Sequence, residues 1–286
     1  MKIPLYQVDA FTSQVFAGNP AAVCLLEQWI DDDRLLSIAA ENNLSETAFL
    51  VRGSRNLELR WFTPVTEVAL CGHATLATAH VLFNCLGWSE AAICFETRKS
   101  GRLFVTRKNG LLEMDFPSRR PFPQRPPDGL LEALGLSGLG TSGRGGSALG
   151  ASAGDVSARS VSASEVLGSE EDVMIVFENE KTIRNLHLDM QSLNELTCRG
   201  IIVTAPGEQC DFVSRFFAPS VGIPEDPVTG SAHCVLVPYW SEKLGKKKLY
   251  ARQVSKRGGE LFCEDRGERV GIAGNAVLYL EGTILI

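Results

Sequence analysis

Two short stretches of the chain carry residue types able to handle a proton and an anion. They are Leu70-Cys71-Gly72-His73-Ala74-Thr75-Leu76 and Glu225-Asp226-Pro227-Val228-Thr229-Gly230-Ser231-Ala232-His233. In each, small residues open an apolar run, His73 to Leu86 and Ser231 to Leu244, which reads as the start of a helix. A helix that begins on small residues leaves its first backbone N–H groups open to a ligand, and their partial positive charge favours a carboxylate or an oxyanion. Two such starts facing one another make a cleft. Glycine also serves a packed turn that needs positive φ, and either loop taken alone fits that use.

A third candidate is Glu46, in Leu44-Ser45-Glu46-Thr47-Ala48-Phe49-Leu50-Val51, because it stands where a helix gives way to an apolar strand and a charge is unexpected. Two plainer uses compete with a chemical one. Asn43-x-x-Glu46 has the form of a capping box, although the residues after it suit a strand better than a helix. Glu46 can also face solvent from a half-exposed strand.

The elements around the two stretches repeat. Arg60-Trp61-Phe62-Thr63-Pro64 precedes the first and Arg215-Phe216-Phe217-Ala218-Pro219 the second; Arg60 and Arg215, Pro64 and Pro219, Cys71 and Asp226 all stand 155 apart. An interval this long exceeds solenoid and propeller units and points to duplication of a half-protein. Each half then needs a strand, a proline-containing loop and a helix to present its stretch.

Along the chain, Ile3 to Thr12, the turn Gly18-Asn19-Pro20 and Ala21 to Leu26 predict strand, turn, strand. Asp31-Asp32-Asp33 offers cap chemistry for a helix ending near Asn42-Asn43. Strand patterns follow at Leu57 to Phe62, Ile93 to Glu96, Leu103 to Thr106 and Leu111 to Phe116. Pro117, Pro121, Pro123, Pro126 and Pro127 then read as an extended linker between a domain at 1–118 and one at 119–286. Residues 137–164 are so rich in Ser, Gly and Ala that they are expected to be mobile. Asp172 to Phe177 predicts a strand, Glu180 to Leu188 an amphipathic helix, and Gly200 to Ala205 a second strand. Four more strand patterns, Leu249 to Val254, Gly258 to Cys263, Arg269 to Ala273 and Ala276 to Ile286, close the chain, the last as a candidate to pack with the first domain.

Composition narrows the function classes. The 286 residues, 44% hydrophobic and 22% charged, suit a globular protein with room for two domains. A net charge of −6 counts against nucleic-acid and anionic-membrane partners; the one basic cluster, Lys243 to Arg257, reads as a solvated helix end. The first residues lack the h-region of a signal peptide and no window is long enough to span a bilayer, so the expected location is cytoplasmic. Eight cysteines and four histidines show no C-x-x-C pair and no metal-ligand spacing along the chain, so no metal is expected.

Asp9-Ala10-Phe11 with Gly18-Asn19-Pro20, Leu44 to Phe49, Cys71 to Leu76 and Glu225 to Ala232 together resemble the PhzF-like, or phenazine biosynthesis-like, isomerases. The resemblance implies an α+β chain with a diaminopimelate epimerase-like fold: two similar domains, each a mixed β-sheet wrapped around a central helix, with the active site in the interdomain cleft. It also implies an isomerase without metal or organic cofactor, acting on a small carboxylate-bearing substrate, and a homodimer. Carried over by motif, Glu46 is the general acid/base, with His73 and Asp226 holding or sharing protons. Gly72, Thr229, Gly230 and Ser231 bind the substrate's anion or carbonyl, and Asn19 lies at the cleft. Relatives with this fold place a cysteine in each duplicated loop, which makes a two-base racemase or epimerase using Cys71 the alternative; here the position 155 residues on is Asp226. A non-catalytic protein that keeps the cleft for a binding partner is the third expectation.

Overall fold

Alternating and β-branched runs in the first half become strands, in a computed structural model that describes residues 1–53, 56–136, 163–196 and 198–286. In chain order they are β1 (Lys2–Ala10), β2 (Asn19–Leu26), α1 (Asp32–Asn42), β3 (Glu46–Arg52), β4 (Leu57–Phe62), β5 (Glu67–Val68), α2 (Gly72–His80), β6 (Ala92–Thr97), β7 (Gly101–Lys108) and β8 (Leu111–Pro117). β1 pairs antiparallel with β2, β2 parallel with β3, β3 antiparallel with β4, and β4 both with the hairpin strand β5 and in parallel with β6. β6, β7 and β8 continue as antiparallel neighbours.

The second half repeats this order. After β9 (Phe122–Pro123) and α3 (Leu130–Ala133) come β10 (Glu165–Gly168), β11 (Asp172–Val176), α4 (Glu180–Arg184), α5 (Met190–Asn194), β12 (Gly200–Pro206), β13 (Phe212–Ala218), β14 (Ile223–Asp226), α6 (Gly230–Leu244), β15 (Lys248–Gln253), β16 (Gly259–Asp265), β17 (Arg269–Gly274) and β18 (Ala276–Leu285). β10 to β13 pair as β1 to β4 do, including the parallel pair β11 and β12, and β13 runs parallel to β15 as β4 does to β6. The halves are stitched together by β8 against β17 and by the return of β18 to β1. Of the Ser/Gly/Ala-rich stretch, only Ala163 and Ser164 fall within the described residues; Ala163 is buried and the Ser164 hydroxyl donates to the Val176 carbonyl.

Each half of the continuous sheet wraps a helix. His73 to His80 of α2 are all buried, and α6 buries ten of its residues, which is why both read as apolar on every side. Leu76, Ala77, Val235 and Leu236 belong to one core shared with both halves of the sheet, while α1 and the α3–α5 group cover the outer faces. The repeated Arg-aromatic-aromatic lead-in is structural. Arg60 forks onto Glu67 at 2.8 and 3.1 Å and Arg215 onto Glu225 at 2.7 and 3.0 Å, each pinning the hairpin that leads to its helix.

That second hairpin is three residues longer, which changes the correspondence between the halves. The helices begin at Gly72 and Gly230, 158 apart, so the residue that occupies the place of Cys71 is Thr229 and not Asp226. Before the hairpin the match runs the other way. Phe49 stands opposite Arg60 and Val203 opposite Arg215, which places Gly200 where the first half has Glu46. Three local expectations also change. Asp31 takes the N-cap position of α1 without a side-chain hydrogen bond. The helix expected over 180–188 stops at Arg184, with α5 following separately on its Asp189 cap. The proline-rich linker contains β9, which pairs with β10.

Candidate active site

Glu46 opens β3 with its backbone paired to Ala21, so its side chain emerges at the sheet end nearest the start of α2. There it meets His73, the second residue of that helix: Nε2 of His73 lies 3.2 Å from Oε2 of Glu46. Both atoms are buried, and neither has an aligned hydrogen-bond partner among the described residues.

Asn19 organises the group from behind. Its amide nitrogen lies 3.1 Å from His73 Nδ1, 2.7 Å from Asp226 Oδ1 and 2.9 Å from the Val228 carbonyl. Three acceptors around one nitrogen fix the amide's orientation and make His73 Nδ1 an acceptor, so the imidazole proton sits on Nε2, towards Glu46. Asn19, expected at the cleft as a substrate-binding residue, is fully buried and stands behind His73, outside the lining residues. Asp226 also accepts from the Thr229 hydroxyl at 2.5 Å. Gln253 ties that loop down, accepting from the Thr229 N–H at 2.9 Å and donating to the Asp226 carbonyl at 2.7 Å.

The cleft has a volume of about 390 Å³. Glu46, Cys71, Gly72 and His73 line it from the first half, and Asp226, Thr229, Gly230 and Ser231 from the second. Neither N-cap residue, Cys71 nor Thr229, turns its side chain onto its helix, so the first turns of α2 and α6 are left without a side-chain cap. The Thr229 N–H is already committed to Gln253, which leaves Gly230 and Ser231 as the donors of that loop. Gly72 and Gly230 lie outside the positive-φ region. The two glycines lie close to one another: a Cβ on Gly72 would stand 3.4 Å from the Gly230 Cα, in ordinary van der Waals contact. The halves touch at these two helix starts.

Burial sets the protonation states. Loss of solvent, then the charge of Asp226, pushes the Glu46 carboxyl well above the usual carboxylate range, while the Cys71 thiol beside it pulls it back a little. Asp226 is also raised by burial, against the hydrogen bonds from Thr229 and Asn19 and the positive charge of Arg199. Burial drops His73 to about 3, so the imidazole is neutral, and lifts the Cys71 thiol, so it stays protonated. The resting site thus holds two buried carboxyls raised above their usual range, Glu46 to about 8 and Asp226 to about 6, beside a neutral N–H donor.

Ligand-type atoms of Glu46, Cys71 and His73 come within 4.8 Å of one another, a spacing that could hold a metal ion and that no interval along the chain betrays. His73 would have to offer Nε2, since its Nδ1 is occupied by Asn19. A second recess, of about 460 Å³, lies on the outside around Trp29, Asp32, Glu58 and Arg60. There Arg60 is paired with Asp32 and the Trp29 N–H with Glu58, so its polar groups face one another. Arg119, Arg199 and Phe116 line the cleft and Gln253 supports its loop, all outside any motif, while Phe216 belongs to the repeated aromatic lead-in, which gives no sign that it lines the cleft.

Comparison with known proteins identifies the family and the fold. Residues 8–282 match the family model described as phenazine biosynthesis-like protein. An uncharacterized isomerase of Pseudomonas aeruginosa is 50% identical over 284 residues, 99% of each chain. The crystal structure of a phenazine biosynthesis protein of the PhzF family from Enterococcus faecalis superposes with a TM-score of 0.87 at 41% identity over all of both chains. A protein described as a predicted epimerase, also from Pseudomonas aeruginosa, shares the fold, with a TM-score of 0.69 at 17% identity over 99% of both chains.

Proposed function

The chain belongs to the phenazine biosynthesis-like protein family, and we propose that it is an isomerase in which Glu46 moves a proton on a small carboxylate-bearing substrate. Its relatives named as isomerases support the class. The observation that carries the finer reading is Glu46 itself: a buried carboxyl raised towards neutrality, with an unpartnered oxygen, at the wall of the cleft.

A group that takes a proton from carbon and returns it works best when its pKa lies near the operating pH. Desolvation supplies that for Glu46. As the carboxyl gives up or regains its proton, the His73 Nε2–H is close enough to support the carboxylate oxygen, and Asn19 keeps that imidazole in the required tautomer. Negative charge that develops on the substrate's conjugated system meets the first-turn N–H groups of α2 and α6, which are fixed in place before the reaction begins. In this account the chain's own residues suffice for the proton shift without a cofactor.

The internal symmetry favours one base over two. Gly200 takes the place of Glu46 in the second half, and the second-half carboxyl that does line the cleft, Asp226, is engaged by Asn19 and Thr229. The counterpart of Cys71 is Thr229, whose hydroxyl is held by Asp226. A two-thiol racemase would need an acid at that position.

The experiment is a proton NMR screen in D₂O of small unsaturated and cyclic carboxylic acids, comparing the wild-type protein with Glu46→Gln. The wild type should exchange or migrate a carbon-bound proton in at least one acid, and the variant should be slower by roughly 10²–10⁴-fold. An equally fast variant would remove Glu46 from the reaction.

A further inference from the structure

The wall of the cleft contributed by β12 and the start of α6 holds an arginine that the proton-moving group does not use. Arg199 immediately precedes Gly200, the position that mirrors Glu46, and it lines the same cleft as Glu46. Its Nε and Nη2 fork onto the buried Asp172 at 2.9 and 2.5 Å. Nη2 also lies 3.5 Å from the Ser231 hydroxyl in the first turn of α6. The guanidinium carbon stands 5.7 Å from the centre of the Phe216 ring, itself part of the cleft lining.

A guanidinium offers two bidentate faces. Asp172 occupies the Nε and Nη2 face, and Glu171 approaches the same side with an oxygen 3.3 Å from Nε. The end-on face formed by Nη1 and Nη2 remains, and Nη1 meets no acceptor among the described residues. The surroundings hold the side chain in one attitude. Gly200 provides the space, since a Cβ there would come within 2.3 Å of the Phe216 ring and 2.8 Å of an Asp172 oxygen. A fork held from behind by a buried carboxylate, laid over an aromatic ring and set beside the open N-terminus of a fifteen-residue helix has the parts of a preorganised anion anchor.

We propose that Arg199, held by Asp172 and Phe216 beside Ser231, binds the carboxylate of the substrate, so that the acid group lies on the second-half wall and the reacting C–H faces Glu46. This rests on the isomerase reading and deepens it by naming the residue that selects for a carboxylate. Substrates are then small acids long enough to reach from Arg199 to Glu46, with a body in contact with the Phe116 and Phe216 rings that line the space between. Neutral amides and esters of the same shape are rejected, because they cannot accept two charge-assisted bonds from that face.

The test reads binding rather than turnover, with benzoate and benzamide as probes and titration calorimetry or protein NMR as the readout. Wild-type protein should bind benzoate about 10- to 100-fold more tightly than benzamide, the factor expected for hydrogen bonds to a charged group. Arg199→Lys keeps a positive charge for Asp172 but loses the flat face, and should weaken benzoate by about 10-fold with benzamide unchanged. The double change Arg199→Gln with Asp172→Asn leaves no unpaired buried charge and should abolish the preference for benzoate. The anchor is refuted if wild-type protein binds benzoate no more tightly than benzamide, or if Arg199→Lys, folded as judged by circular dichroism, binds benzoate as the wild type does. Since no turnover is involved, failure here leaves Glu46 untouched, and failure of the exchange screen leaves the anchor untouched.

Discussion

Glu46→Gln should make the folded protein more stable, and increasingly so as the pH rises. In the folded chain, burial and the charge of Asp226 lift the Glu46 carboxyl from its ordinary value of 4.5 to about 8. As pH rises through the interval between, the unfolded chain gives up this proton while the folded chain keeps it. The folded state then binds more protons, and by linkage its stability falls with rising pH until the folded carboxyl also ionises. Each pKa unit is worth about 1.4 kcal/mol, so the interval amounts to a loss on the order of 3–5 kcal/mol above pH 8. Glutamine keeps the shape and cannot ionise, so it escapes this loss. Asp226 is present in both proteins and contributes to both curves. Urea unfolding of the two proteins between pH 5 and pH 9 is the assay. Their stability difference should be small at pH 5 and reach several kcal/mol in favour of the variant at pH 9. A difference that stays flat across this range would show that Glu46 is ionised in the folded protein at acid pH, and the desolvated-carboxyl account would fail.

Two further substitutions probe the supports of the site. Asn19→Ala removes the donor shared by His73, Asp226 and Val228 and should cost about 2–4 kcal/mol of stability in urea unfolding, with catalytic activity lost out of proportion to affinity for benzoate. An unchanged unfolding midpoint would mean that the bonds through Asn19 are replaced by water. Gly200→Ala should force the Phe216 ring and Asp172 aside, costing about 1–3 kcal/mol and weakening carboxylate binding, since the new Cβ would meet the ring within 2.3 Å. Normal benzoate affinity in that variant would show that the Arg199 wall has slack.

The parts of the site that the sequence announced are those whose residue types are unusual for their place. A glutamate opening an apolar strand, glycine and histidine opening an apolar helix, and an aspartate leading the second helix all stand out before any contact is known, and the structure gathers Glu46, His73 and Asp226 at one cleft. Duplication was legible because the arginine, aromatic and proline lead-ins are spaced alike. What escaped depends on side chains meeting from distant positions. Arg199 is an ordinary residue before a strand until Asp172, 27 residues earlier, is seen to hold it. Gln253 likewise acts on a loop 24 residues away. The shift of the helix correspondence from 155 to 158 hides in a longer hairpin, whose extra residues change no residue type. Ile183, Leu186 and Leu188, within the helix expected over 180–188, do pack in the second-half outer core, but they reach it from a short helix and the loop after it.

The central claim is that one carboxyl carries the proton, and the fate of that proton tests it most directly. An acid turned over in the screen would be prepared with deuterium at the reacting carbon and converted in a single turnover in ordinary water, with the product analysed by mass spectrometry and NMR. With Glu46 as the one acid/base group in a desolvated cleft, a measurable share of the deuterium should reappear at the new carbon on the same face. Cys71→Ala should keep most of the activity and the same transfer, while Glu46→Gln should show neither. Complete loss of the label to solvent, together with a Cys71→Ala variant that is folded yet as inactive as Glu46→Gln, would contradict the account and point to two acids acting from opposite faces.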